Sequence, residues 1–168
     1  MKKHARAASI ALLLAVPGAA ARAAEITALI GKGGGPTLTE GGTEPSNWGT
    51  CYGGMLTITL FNLVHGEVEG IYQGSNYADT NLLTLSGKAY LGPSIGRFVP
   101  YVGLGAGAYN EGLPTNDDHG TTGLLFAGAK LKFPMGLVLR GEYQWISMPD
   151  AAPIKLDHRY FFAMGLGF

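Results

Sequence analysis

Cysteine is almost missing from this 168-residue chain. Cys51 stands alone, so no internal disulfide framework can form. The plain reading of Cys51 is a small residue at a strand end, and nothing beside it marks a reactive thiol. Charge is sparse as well, at 14% of residues. The overall balance of zero conceals an uneven distribution. Lys2, Lys3, Arg6 and Arg22 lie in the N-terminal segment, and without them eight basic residues face twelve acidic ones, a net charge near −4. A chain of that sign has no basic stripe with which to hold nucleic acid. After residue 24 no apolar run approaches the roughly 18 residues of a membrane-spanning helix. No segment there has the 3.6-residue period of an amphipathic helix either.

What is present begins with an export pattern. Lys2, Lys3, His4 and Arg6 open the chain, and an apolar run follows from Ala7 to Ala21. That run is right for a signal peptide and too short for a permanent span, and Pro17-Gly18 within it argues against a buried helix. Ala21-Arg22-Ala23 fits the small-x-small cleavage pattern. Residues 1–23 are therefore expected to be removed, leaving 24–168. No cysteine follows the apolar run, so no lipid anchor is expected.

Residues 24–168 alternate between apolar segments of about ten residues and connectors rich in Gly, Pro, Asn and Asp. Eight segments read as strands: 25–33, 52–62, 64–73, 82–91, 99–109, 122–133, 137–147 and 158–168. Connectors after the first, third, fifth and seventh (34–51, 74–81, 110–121 and 148–157) are longer and polar. Those around Leu63, from Gly92 to Phe98 and at Pro134-Met135-Gly136 are generally shorter. A barrel whose two ends face different compartments sorts its loops in this way, and strands of about 9–11 residues suit a tilted membrane crossing. The predicted fold is all-β, an eight-stranded antiparallel up-and-down transmembrane β-barrel. Its expected place is the outer membrane, reached through the periplasm.

Strand faces follow from cost: a charge on the lipid face near the midplane costs roughly 2–4 kcal/mol. Glu67 with Glu69, Lys130 with Lys132, and Arg140 with Glu142 each share one face of a strand. With Lys88 and Arg159 they form the expected lumen charge network: Glu67, Glu69, Lys88, Lys130, Lys132, Arg140, Glu142 and Arg159. Eight strands leave an interior that side chains just fill, so a packed network is expected, with a selectivity ring as the alternative. Gly103, Gly105 and Gly107 share one face and are expected to leave room for long side chains from across the lumen. No phosphate-binding helix follows this Gly-x-Gly repeat, so it is not a nucleotide fingerprint. Aromatic residues suggest two girdles, one of Phe61, Phe98, Tyr101, Phe133 and Phe168, the other of Tyr72, Tyr109, Trp145 and Tyr160 with Trp48 and Tyr52 nearby.

The strand Pro100-Tyr101-Val102-Gly103-Leu104-Gly105-Ala106-Gly107, the strand Arg140-Gly141-Glu142-Tyr143 and the ending Tyr160-Phe161-Phe162-Ala163-Met164-Gly165-Leu166-Gly167-Phe168 resemble the small outer-membrane β-barrel superfamily. That group includes the OmpA barrel domain, OmpX and the opacity-type porin family. The resemblance implies that Tyr160, Phe162, Met164, Leu166 and Phe168 form a C-terminal signal read by the barrel assembly machinery. It implies no single function, since members include anchors, adhesins and small channels.

Catalysis is not expected. Some small outer-membrane barrels modify lipid A and would show His-x-Ser, but His65, His119 and His158 lead into Gly66-Glu67, Gly120-Thr121 and Arg159-Tyr160. A set such as Ser147, His158 and Asp157 could assemble only through the fold. No cofactor is implied, and Asp117-Asp118-His119 reads as solvated loop rather than metal site. The outer connectors and their margins carry Glu40, Glu44, Asp79, Glu111, Asp117, Asp118, Asp150 and Asp157 against Lys155, with divalent-cation contact beside lipopolysaccharide phosphates as the sharper reading. The expected role is structural or surface-interactive through the outer loops, with lipid and lipopolysaccharide as neighbours and a surface ligand left open. The alternatives are a narrow channel and a lipid A-modifying enzyme.

Overall fold

The structure is a computed structural model that describes residues 21–34, 36–39, 42–45, 49–60, 63–74, 81–112, 117–148 and 156–168. The strands are β1 (Ala21–Gly34), β2 (Pro36–Thr39), β3 (Gly42–Pro45), β4 (Gly49–Leu60), β5 (Val64–Gly74), β6 (Asn81–Leu91), β7 (Phe98–Gly112), β8 (Asp117–Lys132), β9 (Leu137–Ser147) and β10 (His158–Gly167). Eight of them close an antiparallel barrel in the order β1-β10-β9-β8-β7-β6-β5-β4, and β2 and β3 pair separately as a small hairpin. The eight-stranded up-and-down barrel read from the alternation is the fold observed.

Closure joins the two ends of the sheet. β1 pairs with β10 from Glu25↔Gly167 to Gly34↔His158. Ala24 and Phe168 exchange backbone hydrogen bonds in both directions, each 2.9 Å. This is the terminal end of the barrel. The β1–β4 ladder shifts register between Ala21 and Ala23 and runs evenly from there to Gly33↔Gly49. A closed sheet leaves no row of unpaired backbone groups, which the interior of a bilayer requires.

Burial follows period two, with polarity reversed relative to a water-soluble protein. Leu85, Leu104, Phe162 and Met164 point outward, and Leu104 and Phe162 are 68% and 71% exposed. Arg159, Lys130 and Glu69 point inward and are at most 1% exposed.

Glycines admit the larger rings of the lumen. Tyr101 lies opposite Gly128, where a Cβ would fall 2.4 Å from the Tyr101 hydroxyl. Phe126 and Tyr90 flank Gly103, where a Cβ would meet both. Gly105 and Gly107 make way for Lys88 and Ser86 on the adjoining β6. The room opened by the β7 glycines thus goes to neighbouring strands, not to side chains from across the lumen.

Two terminal-end turns have specific backbone demands. Ile95 and Phe98 bridge across Gly96-Arg97, with Gly96 at φ +64°, as a turn with a left-handed first central residue needs. In Pro134–Gly136, Met135 takes φ +68° and Gly136 φ +80°. Pro followed by a positive-φ residue suits a turn that normally selects Gly or Asn at the second place.

Three expectations are corrected. The connector read as 110–121 is mostly strand: Asn110, Glu111 and Gly112 pair with His119, Asp118 and Asp117, leaving only 113–116 between β7 and β8. Tyr101 and Tyr109 are not girdle residues; both face the lumen and are buried. Glu111, read as a loop carboxylate, is also buried on that face. Phe98, Phe133, Phe168, Tyr52, Trp145 and Tyr160 do face outward. Residues 1–20, Glu40, Trp48, Phe61, Asp79, Asp150 and Lys155 lie outside the described residues, as do the side chains of Glu44, Asp117 and Asp118.

Candidate functional site

The alternation of β5, β6, β8, β9 and β10 delivers all eight expected charges to the inward side. Six of them meet in one cluster at mid-barrel. Lys88 Nζ sits among three carboxylates, 2.7 Å from Glu67 Oε1, 2.8 Å from Glu69 Oε2 and 2.7 Å from Glu142 Oε1. Arg140 binds Glu67 through both terminal nitrogens and Glu142 through one of them. Its Nε donates to the Tyr101 hydroxyl at 2.6 Å, and that hydroxyl donates to Glu142 at 2.9 Å. Arg159 donates to Gln144 Oε1 from Nε (3.0 Å) and Nη2 (2.8 Å), reaches Thr84 at 3.2 Å, and lies 3.5 Å from Glu69. The Gln144 amide donates to Glu69 and Glu142, and Thr57 donates to Glu67 at 2.7 Å.

A second cluster lies nearer the terminal end. Lys130 Nζ binds Glu25 and donates to the Tyr90 hydroxyl at 2.5 Å. Lys132 reaches the other Glu25 oxygen at 2.8 Å from a partly exposed position at the mouth. His65 stacks on Tyr90 (centroids 4.6 Å apart) with Nδ1 3.1 Å from Thr59 Oγ1. Rings also face the cations: Lys88 lies 4.4 Å from the Phe126 centroid and Arg140 4.8 Å from that of Tyr101.

Within these two clusters Glu25, Glu67, Glu69 and Glu142 match Lys88, Lys130, Arg140 and Arg159 one for one, so their charges cancel; among the described residues Glu111 is a fifth buried carboxylate, set apart near the far end beside Leu82. Burying ions without such pairing costs several kcal/mol each. Toward the far end the filling turns apolar, with Leu29, Cys51, Met55, Ile71 and Phe161 packed together. Beyond them Leu124, Ile146 and Leu156 pack with Leu82 and Met148. Leu156 is drawn in from the β9–β10 connector, whose Asp157 ties by backbone to Ile146 (2.8 Å) and Gly34 (3.0 Å). Cys51 is fully buried in the lumen.

Sequence reasoning missed Glu25, Tyr90, Tyr101, Gln144 and Thr57 as network members. Glu25 shares β1 with Lys32, but the two have opposite parity, so no like-facing pair of charges fixed its face. The residues Tyr160, Phe162, Met164, Leu166 and Phe168 share the outward face of β10. Ser147 and His158 lie at the far end, where the His158 ring is parallel to that of Tyr143 at 6.1 Å. Among the described residues no three His, Cys, Asp or Glu side chains are placed to hold a metal ion.

No protein-family model and no curated protein sequence matches the chain. Solved structures do. Neisserial surface protein A aligns with a TM-score of 0.64 at 12% identity, covering 86% of this chain and 94% of that one. The N-terminal β-barrel domain of Pseudomonas aeruginosa OprF aligns at 0.62 and 18%, covering 89% and 99%. Ail, the attachment invasion locus protein of Yersinia pestis, aligns at 0.54 and 13%, covering 87% and 98%. At these identities what is shared is the fold, that of small eight-stranded outer-membrane barrels.

Proposed function

We propose that this chain is an integral outer-membrane β-barrel with a structural or surface-interaction role carried by its far-end connectors. The observation behind the reading is the reversed polarity of the barrel: apolar side chains outside, a neutralised ionic core inside. In water the outer band would be an apolar patch far larger than soluble monomers expose. In a bilayer it is the solvated surface. The similarity to surface and outer-membrane barrels agrees with this placement.

Residues 1–23 serve in this reading as the export signal, and the outward face of β10 as the segment recognised by the barrel assembly machinery. Lipid and lipopolysaccharide surround the barrel, and an unidentified surface ligand meets the connectors. No catalytic step is assigned. Lipid A from cells making the protein should give the same mass spectrum as lipid A from cells lacking it. The test of placement is gel mobility, boiled and unboiled, of protein extracted from fractionated membranes. A heat-modifiable band in the outer-membrane fraction supports the reading; a periplasmic protein that needs no detergent contradicts it.

A further inference from the structure

The outward face is not uniform around the barrel. Lys32 on β1, Tyr160 on β10 and Tyr143 on β9 are direct partners in one cross-strand row. All three face outward, in the far half of the barrel. One step farther from the terminal end, His158 pairs with Trp145. The Trp145 ring meets Tyr143 edge to face at 4.7 Å. Among the described strand side chains Lys32 is the one charged group on the outward face; the carboxylates Glu25, Glu67, Glu69, Glu111 and Glu142 are all buried inside.

Directly below this row, toward the terminal end, the same strands and β8 enclose an apolar groove of about 750 Å³ on the outer surface. The next cross-strand row makes its shape: Ile30 and Phe162 form one wall, the Phe162 ring leaning over Gly141, where a Cβ would stand 3.6 Å from it, and Ala129 beyond leaves a depression. Ala28 and Leu131 extend it in the row after that. The groove falls within the roughly 300–1,000 Å³ typical of small-molecule sites.

We propose that this face holds one phosphate-bearing acyl lipid of the surrounding leaflet, an inference that rests on the membrane reading above. One acyl chain lies in the groove over Ala129, along the Phe162 ring. The phosphate sits against the Lys32 ammonium and the hydroxyls of Tyr160 and Tyr143. Neighbours in a cross-strand row stand about 4.5–5.5 Å apart at Cβ, so one anion is within reach of all three. A lysine stem lies along apolar surface while its ammonium reaches the headgroup level, and a charge-assisted bond to phosphate is about twice as strong as a neutral one. Charge and groove are contiguous here, so a lipid can use both at once.

The test is native mass spectrometry of the detergent-folded protein offered dioleoyl phosphatidic acid, dioleoylglycerol or inorganic phosphate. Unboiled gel mobility first establishes that each variant is folded. The wild type should retain one phosphatidic acid, and Lys32→Gln should lower that retention about tenfold. Ala129→Leu, which fills the groove on an outward position, should lower retention of both phosphatidic acid and dioleoylglycerol. Arg97→Gln, a basic side chain in the terminal-end turn, should change nothing. Inorganic phosphate should neither bind stably nor displace the lipid. Phosphatidic acid retained by Lys32→Gln and Ala129→Leu as well as by the wild type, or held no better than dioleoylglycerol by the wild type, would overturn the site. So would full displacement by inorganic phosphate. A folded, detergent-requiring barrel that retains no lipid removes this site alone, whereas a chain that stays in solution without detergent removes the membrane reading.

Discussion

Lys88 shows how tightly the lumen depends on individual groups. Its ammonium is the shared partner of Glu67, Glu69 and Glu142. Lys88→Met would leave those carboxylates facing one another with two guanidinium groups to neutralise them. Breaking one side of a buried ion network costs about 3–5 kcal/mol, and urea unfolding of the protein in lipid vesicles should show a loss of that size. Tyr101→Phe removes only a hydroxyl, but that hydroxyl accepts from Arg140 and donates to Glu142. Its expected cost is smaller, about 1–3 kcal/mol. Met135 works in the opposite direction. A non-glycine side chain at φ +68° is held in the left-handed region at a cost of roughly 1–2 kcal/mol. Met135→Asn, at a fully exposed position, should raise the unfolding free energy by up to about 1 kcal/mol in the same assay.

At the scale of the strand, the recurring device is an aromatic ring laid over a cross-strand glycine. Gly128→Val places side-chain atoms where the Tyr101 ring now lies and pushes that ring away from Arg140. Overpacking of this kind costs about 1–3 kcal/mol, and Tyr101→Phe in the same chain should cost less than it does alone, because the valine has already broken the hydroxyl contacts. The strands and their faces were legible in the sequence wherever two charges lay two residues apart, as at Glu67 and Glu69 or Arg140 and Glu142. Where the charges of a strand had opposite parity, as Glu25 and Lys32 do on β1, alternation alone left open which of them faced inward. Tyr101 and Tyr109 were misplaced because position near a strand end was weighed above parity. They share parity with Gly103, Gly105 and Gly107, and the opposite face, Val102, Leu104, Ala106 and Ala108, is the continuous apolar one. The β7–β8 extension was hidden because Asn110, Gly112, Asp117 and Gly120 are turn-forming residues, and pairing with a partner strand overrode that local preference.

At the scale of the whole molecule, filling and neutrality decide what the barrel can do. Two ionic clusters and two apolar layers occupy the lumen from the Lys132 mouth to Leu156, so reconstituted protein should show no steady ohmic conductance in planar bilayers. Discrete, long-lived channel openings in the wild type would favour the channel alternative. Phe168 ends the outward row of β10 and is 73% exposed in the finished barrel, so Phe168→Ala should spare unfolding free energy in vitro and, if this row is the assembly signal proposed above, lower the yield of heat-modifiable protein in cells.

The central claim is the direction of the two strand faces. A small fluorophore attached at Leu85→Cys, Leu104→Cys or Phe162→Cys, in a Cys51→Ser background and with the protein folded in bilayers, reports that direction. Lipids bearing a nitroxide on the acyl chain should quench all three, while the same fluorophore at Lys132→Cys, an inward position left partly exposed at the mouth of the lumen, should be spared. Quenching of the three outward positions by a water-soluble quencher, with none from the lipid chains, would contradict the account and turn the barrel inside out.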